Sequence, residues 1–271
     1  MDKLQEFKKY LIDNYKSSKT IDAYILDIRQ FLQYNKKPLS KTKNVDIERY
    51  KEYMLYNKKL SPISVNRKLV SINQFLLYFQ VPISTRQVKI HSQNFLDDIF
   101  DKEDIESLLK ITEMNGDLRA KALISTMQLT GMRISEVLQL NIKDINKDTI
   151  LILGKGSKRR SVFIPKKLRD IWKEYSLVRI NKTDKLFTGQ KGAITRFTAH
   201  KIVKQYAKLA NVDNKKAHCH NFRHHYCKTL ADKGLSINVI ADLAGHTDIN
   251  TTRIYTRKSK KELLEIINDL D

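Results

Sequence analysis

Between Lys3 and Gln80 the apolar residues return every three or four positions. Leu4, Phe7 and Leu11 make one stripe, and Ile21, Tyr24, Ile25, Ile28, Phe31 and Leu32 a second. This is the period of amphipathic helices, and the strict alternation of half-buried strands is missing. Ser17 or Ser18 can cap the second helix, Pro38 lies in the loop that ends it, and Asp46 falls near the start of a third carrying Tyr50, Tyr53 and Met54. Ser61 followed by Pro62 is an N-cap and first-turn signature for a fourth, carrying Val65, Leu69, Ile72, Phe75, Leu76 and Phe79. The pattern lapses over Pro82–Asn94, a polar, basic stretch that reads as an interdomain linker.

Helical spacing resumes at Phe100–Asp104, where acidic residues suit the positive end of a helix. A further helix over Leu118–Leu129 stops at Gly131, and Ile134–Leu140 returns to helical periodicity. Thr149–Leu153 and Ser161–Ile164 are short β-type runs joined by the basic turn Gly154–Arg160. Leu168–Val178 and His200–Ala210 read as helices, with a loop at Gly189–Gly192 between them. Helices are then expected over Asn221–Leu230 and on to Leu243, with a break at Ala244-Gly245, a short helix presenting Tyr255, and an amphipathic tail over 259–271. The expected fold is mainly α with a small antiparallel β-sheet. It has two domains, a helical bundle over 1–81 and an α+β domain over 98–271, with a linker over 82–97.

Charge narrows the partners. The net charge is +21, far beyond what solubility requires, and so much like charge favours a polyanionic partner such as nucleic acid. A generally Lys-rich coding bias would also give a basic surface. Lys16, Lys19, Arg29, Lys36, Lys37, Lys41, Lys43, Arg67 and Lys68 lie between the apolar stripes of the first domain and suit a phosphate-tracking face. Two cysteines do not make a disulfide framework, and no apolar run is long enough to span a membrane. A soluble, cytoplasmic protein without a cofactor is expected.

Candidate chemistry concentrates late in the chain. Five of the seven histidines (His218, His220, His224, His225 and His246) share one region with Arg223, Cys219, Cys227, Tyr226 and Tyr255. On a helix, His220 and Arg223 share a face. Earlier, Arg133 lies one turn from Glu136, an arrangement that also suits a structural ion pair. Lys155 sits between two glycines without the rest of a Walker loop.

The segments TGMRISEVLQL around Arg133, GKGSKRRSVFIP around Lys155, HNFRHHY from His220 and LAGHTDINTTRIYT from His246 to Tyr255 occur in that order. The chain resembles the tyrosine recombinases, the phage integrase and Xer-type enzymes that share their chemistry with type IB topoisomerases. The resemblance covers the whole chain and implies a SAM-like core-binding domain followed by a catalytic domain. It implies Tyr255 as a nucleophile forming a 3'-phosphotyrosine, Arg133 and Arg223 gripping nonbridging oxygens, and Lys155 as general acid, with Lys158 as its alternative. His220 would assist proton transfer, His246 would donate a hydrogen bond to the phosphate, and Glu136 would orient the site. No metal is implied. The implied partner is double-stranded DNA with inverted-repeat core sites, bound by a homotetramer on two duplexes that is monomeric when free. The outcome would be integration, excision or resolution. Three other readings stand beside it: structural zinc on His220, His224 and Cys227; a non-catalytic DNA-binding regulator on the same fold; and topoisomerase-like relaxation.

Overall fold

The computed structural model describes residues 2–83, 85–90, 98–154, 159–246, 248–257, 264 and 266–269. The chain is mainly α-helical with small antiparallel sheets and divides into two compact units, Met1–Ser92 and Gln93–Asp271.

The first unit is built from α1 (Lys3–Asp13), α2 (Ser18–Asn35), α3 (Asn44–Glu52) and α4 (Pro62–Tyr78). Their starts follow side-chain chemistry. The Ser17 hydroxyl accepts from the Thr20 N–H at 3.2 Å, and the Ser61 hydroxyl from the Ser64 N–H at 3.3 Å, so each satisfies a donor that a helix start leaves open. The apolar stripes meet in a core of Phe7, Leu11, Ile28, Phe31, Ile72 and Phe75, all fully buried. After Glu52 the third helix widens into a π-helical turn, Tyr53–Asn57, where the Tyr34 ring stacks on Tyr53 at 4.7 Å. Val81, Ile83 and Val88 pack on this core, and the Asn66 amide brackets the Val88 backbone at 2.8 and 2.9 Å. The first unit thus takes in part of the stretch read as linker.

Asp27 is buried in this unit and accepts from both Nη atoms of Arg67 (2.8 and 2.9 Å), from Lys68 Nζ (2.7 Å) and from the Ser71 hydroxyl (3.0 Å). Burial alone would raise its carboxyl pKa, but these donors together hold it below the ordinary value. Lys37 is likewise tied to Asp46 at 2.6 Å. Three of the cations expected on a phosphate-tracking face are therefore held by carboxylates of their own unit.

The second unit is arranged around α6 (Leu118–Thr130), which packs against α5 (Lys102–Met114), α8 (Lys166–Val178), α9 (Arg196–Leu209) and α10 (Cys219–Asp232). Between α6 and α8 lie α7 (Ile134–Val137) and the hairpin of β1 (Thr149–Leu153) with β2 (Arg159–Phe163), paired from Thr149 opposite Phe163 to Leu153 opposite Arg159. Ile150, Ile152 and Val162 turn inward from it. The chain ends in α11 (Ile237–Ala244), α12 (Asn250–Arg253) and a 3₁₀ turn, Ile254–Thr256. Cys227, Ile240, Ala244 and Tyr255 form a small core of their own.

Three local expectations change. The helix expected over Ile134–Leu140 ends at Val137, because the chain tightens into i,i+3 turns and is then drawn aside by Leu186 N–H donating to the Leu140 carbonyl at 2.8 Å. The helix expected from His200 starts at Arg196, since the Thr195 hydroxyl caps it by accepting from the Thr198 N–H. The loop at Gly189–Gly192 closes a minimal hairpin of β3 (Thr188–Gly189) and β4 (Gly192–Ala193). Lys155, Lys158 and most of the amphipathic tail lie outside the described residues. Among the described residues no helix is long and apolar enough to cross a membrane.

Candidate active site

Two helix ends position the arginines. Gly131 ends α6 with φ of 59°, a left-handed conformation that L side chains resist. A Cβ there would meet the Tyr226 ring at 2.3 Å. The Gly131 carbonyl, freed by the cap, accepts from Arg223 Nη1 at 2.9 Å. Gly245 ends α11 in the same way, with φ of 68°, and its carbonyl accepts from Arg133 Nη1 and Nη2 at 3.4 and 3.3 Å.

Glu136 binds the site's first turn together. One carboxylate oxygen accepts from the Arg133 backbone N–H at 2.9 Å and from Arg160 Nη2 at 2.9 Å, and the other from Arg133 Nη1 at 3.0 Å. Arg160 reaches it from β2 and also donates to the Leu243 carbonyl at 2.8 Å, which ties the hairpin to α11. Burial would raise the Glu136 pKa, but Arg160 and Arg133 overcome it and hold the carboxyl below the ordinary range.

Arg223 is fully buried, and apart from Nη1 its guanidinium is unsatisfied. Its Nε and Nη2 have no hydrogen-bond partner among the described residues. Burial, and after it the positive charge of Arg133, pushes its pKa down to about 10, so it remains a cation at neutral pH. Leaving each such N–H unpaired costs about 1–3 kcal/mol, so an anion supplying oxygens here would regain that energy.

The aromatic side of the site faces these cations. Tyr255 is 1% exposed, and its hydroxyl lies 2.7 Å from His224 Nδ1 and is hydrogen-bonded to the Cys227 thiol. The His246 ring stacks on the Tyr255 ring with centroids 6.0 Å apart and planes 10° apart, and its Nδ1 is held by the Thr252 hydroxyl at 2.8 Å. His220, exposed, stands edge-on to His224 at 4.4 Å.

The comparisons with known proteins decide the family. The sequence profile of the phage integrase family matches residues 98–262, more than half of the chain, and that of the phage integrase N-terminal SAM-like domain matches residues 4–82. The chain belongs to the phage integrase family of tyrosine recombinases. A TnP I resolvase of Bacillus thuringiensis is 29% identical over 97% of this chain and 100% of that protein. A tyrosine recombinase XerD of Staphylococcus haemolyticus is 27% identical over 98% of this chain and 97% of its own. Among solved structures, the XerH site-specific recombinase bound to a palindromic difH substrate in a post-cleavage complex is 26% identical, with a TM-score of 0.78 over 92% of this chain and 79% of that one. Family and fold together support DNA strand transfer of the tyrosine-recombinase type.

Within this tyrosine-recombinase unit, Arg133 is bonded to Glu136 and to the Gly245 carbonyl next to His246, His246 stacks on Tyr255, His220 abuts Tyr255 through His224, and the charge of Arg223 acts on Arg133, His246 and Tyr255. The environment is strongly cationic. Burial, reinforced by Arg223, Arg133 and His220, pushes His246 down to about 4, and burial with His220 and His218 does the same to His224. Burial also raises the Tyr255 phenol above its ordinary value, with Cys227 adding to the rise and Arg223 and Arg133 opposing it. Sequence reasoning missed Arg160 as the second cation on Glu136, and it gave His224 and Cys227 no part beside Tyr255. Both touch the Tyr255 hydroxyl. The signal for His224 was present in its position, next to Arg223 and one turn after His220. Nothing local in sequence marked Arg160 among its basic neighbours. The zinc reading required His220, His224 and Cys227 to face one point, whereas the latter two converge on Tyr255. Among the described residues no set of three or more such donors could hold a metal ion.

Proposed function

We propose that this protein is a site-specific DNA recombinase that cuts and rejoins strands through a 3'-phosphotyrosine on Tyr255. The supporting observation is the buried Arg223, whose Nε and Nη2 have no partner among the described residues, with Arg133 and Tyr255 close enough to act on it electrostatically. A phosphodiester supplies the missing acceptors, and two permanently charged planar forks neutralise the charge that grows on a pentacoordinate phosphorane. Tyr255 attacks phosphorus, and Arg133 and Arg223 hold the nonbridging oxygens. Lys155, with Lys158 as its alternative, protonates the leaving 5' oxygen. His220 assists proton transfer and His246 donates to the phosphate. Glu136 keeps Arg133 oriented. The phosphotyrosine conserves the phosphodiester energy, so rejoining needs neither ATP nor an external cofactor.

The partner is double-stranded DNA with inverted-repeat core sites. Four protomers assemble on two duplexes, with the tail over 259–271 as the segment passed between them. Because Tyr255 is buried in the free protein, DNA binding has to open a path for the phosphate to its hydroxyl. The test uses a nicked suicide duplex built on an inverted repeat bordering the coding region. A covalent protein–DNA adduct is expected with the native chain and none with Tyr255→Phe. DNA binding without any adduct would leave the non-catalytic regulator, and relaxation of supercoiled plasmids lacking the repeat would mark topoisomerase-like activity.

A further inference from the structure

Attack by a phenol requires something to take its proton. The cations around Tyr255 ease the loss of that proton but cannot accept it, because a guanidinium has no acceptor atom. Among the described residues, the groups acting on the hydroxyl and its neighbour His224 are Arg223, His218, His220 and Cys227 on α10 and its cap, Arg133 at the start of α7, and His246 from the turn after α11. Cys227 is a protonated thiol, which burial pushes up to about 11. His246 lies parallel to the phenol ring and presents its face, with Nδ1 already on Thr252. His220 packs on His224 and not on Tyr255. One ring nitrogen remains, His224 Nδ1, at 2.7 Å from the phenol oxygen.

We propose that His224 is the general base that receives the phenolic proton of Tyr255. The inference rests on the reading of Tyr255 as nucleophile. With its own proton on Nε2, neutral His224 presents the Nδ1 lone pair to the hydroxyl. As the Tyr255 oxygen forms its bond to phosphorus, its proton passes to Nδ1, the bond from phosphorus to the 5' oxygen breaks, and the leaving oxygen takes a proton from the site's general acid. In rejoining, the 5' hydroxyl returns its proton to the conjugate base of the site's general acid as it attacks phosphorus, the bond from phosphorus to the Tyr255 oxygen breaks, and the departing phenolate recovers its proton from the His224 imidazolium. Burial first, and then His220, His218 and the Arg223 guanidinium, keep His224 neutral in the free protein, so it is a competent acceptor before DNA arrives. They also make the transfer steeply unfavourable without an anion. A phosphate held by Arg223, the adjacent residue, supplies the negative charge that stabilises the imidazolium. The base is thus weak in the free protein and strengthens only when substrate is in place.

Single-turnover cleavage of the suicide duplex tests this against a second duplex in which sulfur replaces the bridging 5' oxygen. A thiolate leaves without a proton, so that substrate isolates activation of the nucleophile. His224→Gln and His224→Asn are both expected to slow cleavage by about 10²–10⁴ on both duplexes, and to lose the acid limb of the rate–pH profile. The asparagine keeps a hydrogen-bond acceptor near the Nδ1 position, so its failure would show that basicity matters and not the contact alone. Fluorotyrosine at 255, which ionises more readily, should restore much of the rate to His224→Gln. Wild-type rates in both variants, rescue by the sulfur substrate, or no gain from fluorotyrosine would each overturn the proposal. An adduct that persists in Tyr255→Phe would instead remove the reading on which it rests.

Discussion

Asp27 in the first unit and Glu136 in the second are both buried carboxylates held by two cationic side chains, yet their surroundings diverge. Around Asp27 the ledger of donors closes: both Nη atoms of Arg67, the Lys68 ammonium and the Ser71 hydroxyl all end on one carboxylate. Around Glu136, Arg133 and Arg160 also donate to the main-chain carbonyls of Gly245 and Leu243, the Arg160 Nε has no partner among the described residues, and neither do Nε and Nη2 of a third guanidinium, Arg223. The first arrangement is complete without a partner molecule. The second leaves buried donors without acceptors among the described residues, which sets it apart from the first and supports the proposal that it binds an anionic substrate.

The largest expected effect separates the two clusters by stability and activity together. Glu136→Gln leaves Arg133 and Arg160 facing each other without their shared anion, and breaking such a buried pair costs about 3–5 kcal/mol. Denaturant unfolding should show that loss, and the suicide-duplex assay should show cleavage falling with it. Asp27→Asn should also lower stability, but leave the cleavage rate of DNA-bound protein intact. If Asp27→Asn abolished cleavage on bound DNA, the distinction between the clusters would fail.

Next comes Arg223→Met, which replaces an unsatisfied buried cation with an apolar chain of similar length. The free protein should keep or gain thermal stability, while single-turnover cleavage drops by about 10²–10³ through lost transition-state stabilisation. A variant that unfolds instead would mean that Arg223 holds the fold.

A third effect is a pH dependence. The folded values of His224 and His246 lie near 4, below the ordinary 6.5, so between those limits the unfolded chain binds protons that the free folded protein refuses. Stability from this source is fully present above pH 6.5 and is lost as pH falls toward 4, by an amount on the order of 2 kcal/mol per histidine. Urea melts across that window should show the slope, and the double variant His224→Gln with His246→Gln should flatten it. The carboxylates add a separate loss at lower pH: Asp27 and Glu136 have depressed values, so their contribution holds above the ordinary carboxylate range and fades as pH falls through their folded values. Smallest is Arg67→Ala. Its side chain is 51% exposed and Lys68 still neutralises Asp27, so a change of about 1 kcal/mol or less is expected in chemical denaturation.

What sequence could reveal followed the range of the interaction. Ser17, Ser61-Pro62 and Gly131 act on donors and acceptors within a few residues, and the helix boundaries they mark were legible. Arg133, Glu136, His220, Arg223, His246 and Tyr255 stood out by residue type and order, and by likeness to a family. The contacts that arrange them did not. Arg160 meets Glu136 across 24 positions, Tyr255 meets His224 across 31, and Arg223 finds its carbonyl across 92. Tertiary packing decides such pairings, and no local periodicity encodes them. The π-turn at Tyr53–Asn57 was hidden for a related reason, since its ring packing with Tyr34 is absent from the local pattern.

The two anchor carbonyls of Gly131 and Gly245 have a consequence for how the site can change. Every residue type carries a peptide oxygen, so point mutation cannot delete these acceptors in the way it deletes a carboxylate. What it can do is add a methyl group where none fits, because a Cβ at either glycine would fall 2.3 Å from a neighbouring side chain. The vulnerability of both arginine supports is therefore concentrated at two codons, and trimming Tyr226 would relieve the clash at Gly131 but not the strain of a side chain in the left-handed region.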